Sequence, residues 1–319
     1  MKKLWLVFLI LPVACSKNEG DDNIDHRQEM RNFVQEISSY ARSARPGFLV
    51  VTQNGNELLT ENGEPDGMPA TYYLASIDGC GQEDLFYGYN YDDVATPPAE
   101  TEWMLSFLDV AKTAGKTIMV TDYCSTPSHV DNSYTQNHAA GYISFAANER
   151  ELNYIPPYPD HVFGENSAIV QSLTDVKNFL YLINSERYLK KSMFINAVTS
   201  TNYDLLIVDL FFNDESAFTA GEIEELRAKA NGGRRLVLAY LSVGEAEDYR
   251  YYWQSAWNPG NPSWLGTENP DWPGNYLVKY WDPEWQQIIC GNDNSYLKKI
   301  LDAGFDGVYL DRIDAFENF

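Results

Sequence analysis

Acidic and amide side chains recur in this sequence directly after short apolar runs. Asn54, Asp78, Asp122, Asp209, Glu245, Asp282 and Asp311 all stand in such places. A pair of carboxylates facing one bond is the arrangement that hydrolyses a glycosidic linkage, one acting as acid and the other as base or nucleophile. Asp311 follows Val308-Tyr-Leu310 and is the leading candidate. Glu245 sits in Gly-Glu-Ala-Glu-Asp after an apolar run, and Asp209 closes Leu-Leu-Ile-Val-Asp. The competing role for these three is structural, as helix N-caps or as ion-pair partners of Arg250 and Arg312. Glu83 and Asp84 come next, with Asn54, Asp78 and Asp122 as candidates to bind hydroxyls or an amino group. Tyr240, Lys279, Trp281 and Arg312 complete the substrate-binding candidates. The histidines His26, His129, His138 and His161 show no metal-ligand spacing, and phosphate-loop, zinc-protease and calcium-loop motifs are absent. No cofactor is expected.

The elements that would position these groups alternate. Helical spacing covers 27–44, with Met30, Phe33, Val34, Ile37 and Ala41 on one face. Strands are predicted at 48–52, 72–77, 117–121, 142–146, 178–183, 204–209, 235–241, 276–280 and 308–310. Helices are predicted at 100–114, 220–230, 283–290 and 296–303. Apolar, β-branched strands buried on both faces mark a parallel sheet. With acids gathered after strand ends, this predicts an α/β fold, a (β/α)8 TIM barrel, which keeps its chemistry at that face. A doubly wound open sheet is the alternative, but no dinucleotide fingerprint is present. Nine strands are one more than a barrel needs, and 142–146 is the expected surplus. The chain starts with a helix where a barrel starts with a strand, so helix 27–44 is expected to dock beside 308–311.

The chain has 319 residues, 44% hydrophobic and 22% charged, as globular proteins do. Its formal charge of −23 excludes binding to nucleic acid through phosphate contacts. Tyr and Trp, at 22 and 8 residues, suit a sugar cleft as well as a large aromatic core. The Tyr249-Arg-Tyr-Tyr-Trp253 run and Trp257, Trp264 and Trp272 are further candidates for sugar platforms. Lys2 and Lys3, a short apolar run over 4–13 and Ala14-Cys15 resemble a lipoprotein signal with lipidation at Cys15. The expected organisation is a signal peptide over 1–15, an acidic tether over 16–26 and one barrel over 27–319. Export to an outer membrane or cell surface follows, with the lipid as membrane anchor. In that compartment Cys80 and Cys124 could pair, or remain buried thiols.

Three segments carry a family resemblance: Ala239-Tyr-Leu-Ser-Val-Gly-Glu-Ala-Glu-Asp-Tyr-Arg250, Trp272-Pro-Gly-Asn-Tyr-Leu-Val-Lys-Tyr-Trp-Asp-Pro-Glu-Trp285 and Gly304-Phe-Asp-Gly-Val-Tyr-Leu-Asp-Arg-Ile-Asp-Ala-Phe316. They are similar to the glycoside hydrolase family 114-like barrels, which include endo-α-1,4-polygalactosaminidases. Phe48-Leu-Val-Val-Thr-Gln-Asn-Gly and Ile77-Asp-Gly-Cys-Gly-Gln-Glu-Asp resemble the family too, but precede the Gly-Phe-Asp-Gly strand instead of following it. The resemblance therefore implies a circularly permuted barrel acting on a polysaccharide, with an α-1,4-linked galactosamine polymer as one candidate. In the enzymatically defined branch two matching positions carry carboxylates, where this chain carries Lys279 and Tyr309. A carbohydrate-binding lipoprotein without catalysis is the alternative this raises.

Overall fold

The computed structural model describes residues 24–319. The lipidation position Cys15 and the signal segment lie outside the described residues. The chain opens with α1 (His26–Ala44) and β1 (Leu49–Gln53), then α2 (Thr71–Ser76) and β2 (Gly79–Glu83). It continues through α3 (Pro98–Thr113), β3 (Thr117–Tyr123), α4 (Pro127–Ala140) and β4 (Ile143–Ala147). After residues 148–178 come β5 (Phe179–Tyr181), α5 (Lys191–Thr199), β6 (Leu205–Val208), α6 (Ala220–Leu226) and β7 (Leu236–Ser242). Three short strands follow, β8 (Glu245–Glu247), β9 (Leu265–Glu268) and β10 (Asn275–Val278). Helices α7 (Pro283–Ile289) and α8 (Tyr296–Ala303) lead to β11 (Gly307–Asp311).

Eight strands form one sheet in the order β4-β3-β2-β1-β11-β7-β6-β5, with every pairing parallel. The sheet curls into a nearly closed TIM barrel. At the remaining seam, the Phe145 ring of β4 lies 5.9 Å from that of Phe179 in β5, centroid to centroid. Just above it, Asn184 N–H donates to the Leu152 carbonyl at 3.2 Å. Alternation along each strand sends every second side chain inward. On β11 these are Tyr309 and Asp311, and on β2 Gly81 and Glu83.

Two strand assignments need correction. Residues 72–77 form no strand. Most of them lie in α2, where Tyr73 and Leu74 are buried while Tyr72 is 82% exposed. The barrel strand is the next segment, Gly-Cys-Gly-Gln-Glu, which has no bulky apolar residue to announce it. Its glycines are needed for space. A methyl on Gly81 would lie 1.9 Å from the Tyr309 hydroxyl, and one on Gly79 would lie 2.7 Å from the Thr117 carbonyl. The surplus strand is 276–280 and not 142–146. β4 pairs with β3 over five residues, whereas β10 belongs to a three-stranded antiparallel sheet in the order β8-β10-β9.

α1 packs between α2 and α8 and against the turn that follows the last strand, which is the neighbourhood its position in the sequence predicts. The Tyr280 hydroxyl donates to the His26 carbonyl at 2.8 Å, and Arg45 donates to the Phe305 carbonyl. The His26 and Phe319 rings stack at 5.4 Å. One face of the helix, from Met30 to Ala41, is fully buried. Cys80, Cys124 and Cys290 are buried and unpaired. Asp282 N-caps α7, accepting from Glu284 N–H at 2.9 Å.

The tight packing of β2 against Tyr309 gives a first expectation. Gly81→Ala should destabilise the fold by about 1–3 kcal/mol through overpacking. Urea melts of this variant, alone and combined with Tyr309→Phe, check it. The double variant should recover part of the loss.

Candidate active site

A cavity of about 490 Å³ opens at the C-terminal ends of the barrel strands. Its inner wall takes one side chain from each of six strands: Gln53, Glu83, Tyr123, Tyr181, Tyr240 and Asp311. Asp209, directly after β6, and Glu245 and Glu247 on β8 add to the acidic lining, as do Glu186, Glu215 and Asp314. The loop sheet thus brings its carboxylates over the barrel mouth. Tyr249 and Trp272 stand on the outer rim, both about half exposed.

The acids divide by their partners. Arg250 grips Asp209 through both guanidinium ends, at 2.6 and 2.9 Å, and holds Glu247 at 2.6 Å. Burial works against the Arg250 charge, but Asp209 and Glu247 outweigh it and raise its pKa well above the ordinary arginine value. Arg312 holds Glu245 at 3.0 Å and Asp314 at 3.3 Å. Glu245 also accepts from Asn269 at 2.9 Å, and its burial still pushes its pKa up. Arg150 reaches over the Tyr123 ring at 4.2 Å and is tied to Asp84 at 2.9 Å and Asp92 at 2.8 Å.

Glu83 and Asp311 are held differently. Glu83 accepts from Gln53 at 2.6 Å, from Asn54 at 3.0 Å and from the Tyr123 hydroxyl. Gln53 is fixed in turn by the Tyr181 hydroxyl, which donates to its amide oxygen at 2.8 Å. Asp311 accepts from the Tyr240 hydroxyl at 2.6 Å and from the Arg312 backbone N–H at 2.7 Å. Burial, with the Glu83 charge across the cavity, pushes the Asp311 pKa up to about 7. Asp311 is therefore poised to hold and release a proton near neutrality.

The cavity gathers Asp311, Glu245, Asp209, Asn54, Glu83, Tyr240 and Arg312 from the candidates in the sequence. The others lie elsewhere. Asp78 precedes β2, so it sits at the opposite end of the barrel, accepting from Val50 N–H and pairing with Arg42, both at 2.8 Å. Asp84 lies behind Arg150, and its burial raises its pKa to about 7 despite that arginine. Asp122 points outward from β3 and fastens α4 and the β2–α3 loop, accepting from Ser133, Asn137, Phe86 and Tyr87. Lys279 follows β10, outside the barrel sheet, and its N–H donates to the Trp264 carbonyl at 2.8 Å. Trp281 packs against His26 and Phe319, with ring centroids at 4.6 and 4.7 Å. Trp257 and Trp264 pack edge to face on each other at 4.9 Å.

Gln53, Tyr123, Tyr181 and Arg150 are lining residues that composition and motif did not single out. Their signal was inward alternation at strand ends, readable for the first three only once the barrel register is known. Among the described residues no group of three or more His, Cys, Asp or Glu side chains is arranged to hold a metal ion.

Residues 181–319 match the family model described as glycoside-hydrolase family GH114. An uncharacterized protein of Deinococcus radiodurans is 47% identical over 123 residues, 39% of this chain and 37% of that one. An uncharacterized protein of Methanocaldococcus jannaschii is 46% identical over 125 residues, 39% of this chain and 34% of that one. One from Thermotoga maritima is 42% identical over 120 residues, covering 38% and 35%. The matched region thus spans little more than a third of the length of these relatives.

The Arg250 cluster gives a second expectation. Arg250→Met leaves Asp209 and Glu247 buried without their cation, and should cost about 3–5 kcal/mol at neutral pH. The loss should shrink as pH falls and the orphaned carboxyls take up protons, which urea melts at several pH values measure.

Proposed function

From the premise that this chain is a GH114-like barrel protein, we propose that it is a glycoside hydrolase acting on an exopolysaccharide. An α-1,4-linked galactosamine polymer is the first substrate to test. The observation that carries this reading is the pairing within the cavity. Glu83 and Asp311 face the same space on neutral donors, while Asp209, Glu245 and Glu247 are occupied by arginines. Asp311 is the acid that protonates the leaving glycosidic oxygen. Glu83 is the second carboxylate, and the anomer released first tells whether it acts on water or on carbon. Asp209 and Glu245, leading candidates from sequence, become parts of the frame that holds the site.

The cavity is also rich in acid beyond its arginines. Glu186 and Glu215 add to Glu83 and Asp311 along the lining, which suits a glycan bearing ammonium groups. The rings of Tyr249 and Trp272 at the rim suit the apolar faces of its sugars. We further propose that lipidation of Cys15 tethers the protein at the outer membrane or cell surface, and that the barrel is circularly permuted relative to its family. The seating of α1 between α2 and α8 supports the permuted order. No helix of the described residues is long and apolar enough to cross a membrane.

One feature favours a second reading, a carbohydrate-binding protein without catalysis: Lys279 and Tyr309 stand where the family resemblance places carboxylates. Incubation with amino-sugar polymers and measurement of released reducing ends separates the two. Binding with no product supports the second reading.

For the hydrolase, Asp311→Asn and Glu83→Gln should each lower kcat by about 10²–10⁴-fold. Activity should fall as pH rises through about 7, where Asp311 loses its proton. The same raised pKa makes Asp311 favour the folded state at low pH, and that contribution is lost as pH rises through about 7. Asp311→Asn should therefore gain stability relative to the parent at pH 8 but not at pH 4, as thermal melts would show. Cys15→Ser should abolish incorporation of labelled fatty acid and release the protein from the membrane fraction.

A further inference from the structure

A second hollow of about 380 Å³ runs along the side of the barrel, within the size range of small-ligand sites. Leu210, Ala217 and Phe218 form an apolar wall on one side, and Lys299, Asp302 and Ala303 of α8 stand on the other. Phe211 and Tyr251 line this groove and the active-site cavity alike, so the two spaces share a wall. Their rings lie 5.7 Å apart, and Tyr251 is 44% exposed. The Lys299 ammonium sits 4.6 Å from the Tyr251 ring centre, on a long stem that can swing aside.

We propose that this groove binds further sugar residues of the glycan whose scissile bond occupies the cavity. The polymer would pass over the Phe211–Tyr251 lip and down toward α8. The inference rests on the carbohydrate reading above. The half-exposed Tyr251 ring, with the exposed Ala217 methyl opposite, offers contact to the flat faces of a pyranose. Lys299, Asp302 and Thr219 supply donors and acceptors for hydroxyl and amino groups at the edges. The shared Phe211 and Tyr251 rings favour this occupant over an unrelated peptide or lipid, because a glycan leaving the cavity crosses them first.

Ala217→Trp fills the groove from an exposed position that does not line the cavity. With galactosamine oligosaccharides too short to leave the cavity, this variant should match the parent. With long polymer its KM should rise on the order of tenfold, the loss of about 1.4 kcal/mol of binding. Lys299→Ala should show a smaller change in the same direction. Equal effects on short and long chains, or none on either, overturn the proposal. Affinity electrophoresis through gels containing the same polymer reads binding without cleavage. Retardation that Ala217→Trp relieves, with no reducing ends formed, keeps the groove and defeats the hydrolase. Cleavage with no dependence on the groove does the reverse.

Discussion

The active-site region depends on the way two arginines are used up. Arg250 and Arg312 sit over a low-dielectric barrel mouth and bind between them Asp209, Glu247, Glu245 and Asp314. A buried carboxylate without a cation is costly, and so is a buried arginine without carboxylates. The ion pairs therefore fix the loop sheet on the barrel: Arg250 and Glu247 come from the loop, Asp209 from the end of β6 and Arg312 from the end of β11. With these four acids satisfied, Glu83 and Asp311 are the carboxylates of the inner wall that keep neutral donors instead of an arginine side chain. Burial of Asp311 in a partly dry space, with the Glu83 charge as the lesser cause, is what moves its proton affinity toward neutrality.

Much of the barrel is legible in the sequence because its strands are apolar on both faces. β1, β3, β6, β7 and β11 announce themselves by runs of Val, Leu and Ile. β2 does not, because its inward position opposite Tyr309 admits only glycine. That one hidden strand displaced the reading of everything near it. Tyr72-Tyr-Leu-Ala-Ser-Ile77 has strand-like residues but lies mostly in a helix, and Asp78 then fell at the wrong end of the barrel. Tyr276-Leu-Val-Lys-Tyr280 has the same chemistry as a barrel strand, yet it pairs in a loop sheet. Residue propensity reports a half-buried pleated surface without saying which sheet supplies it.

The site was legible in part for a related reason. Acids after strand ends are visible in one dimension, so Asp209, Glu245 and Asp311 could be named. Which of them is neutralised depends on where Arg250 and Arg312 reach, and sequence distance does not encode that. Glu83 ranked lower in the sequence because its strand was hidden. Gln53, Tyr123 and Tyr181, which together hold Glu83 in place, come from three different strands and meet only through the barrel's curvature.

The seam between β4 and β5 has its own consequence. Among the described residues these two strands share no backbone ladder; Phe145 meets Phe179 there, and the chain above is clipped at Leu152 and Asn184. Apolar contacts are non-directional, so rings can slide where a ladder would have to break. The barrel is mechanically a curled ribbon with a latch. The seam passes beneath residues 148–152, which carry Arg150 to the cavity wall. Breathing at that line would widen the mouth on the Arg150 side while leaving Glu83 and Asp311, on the continuous part of the sheet, in register with each other.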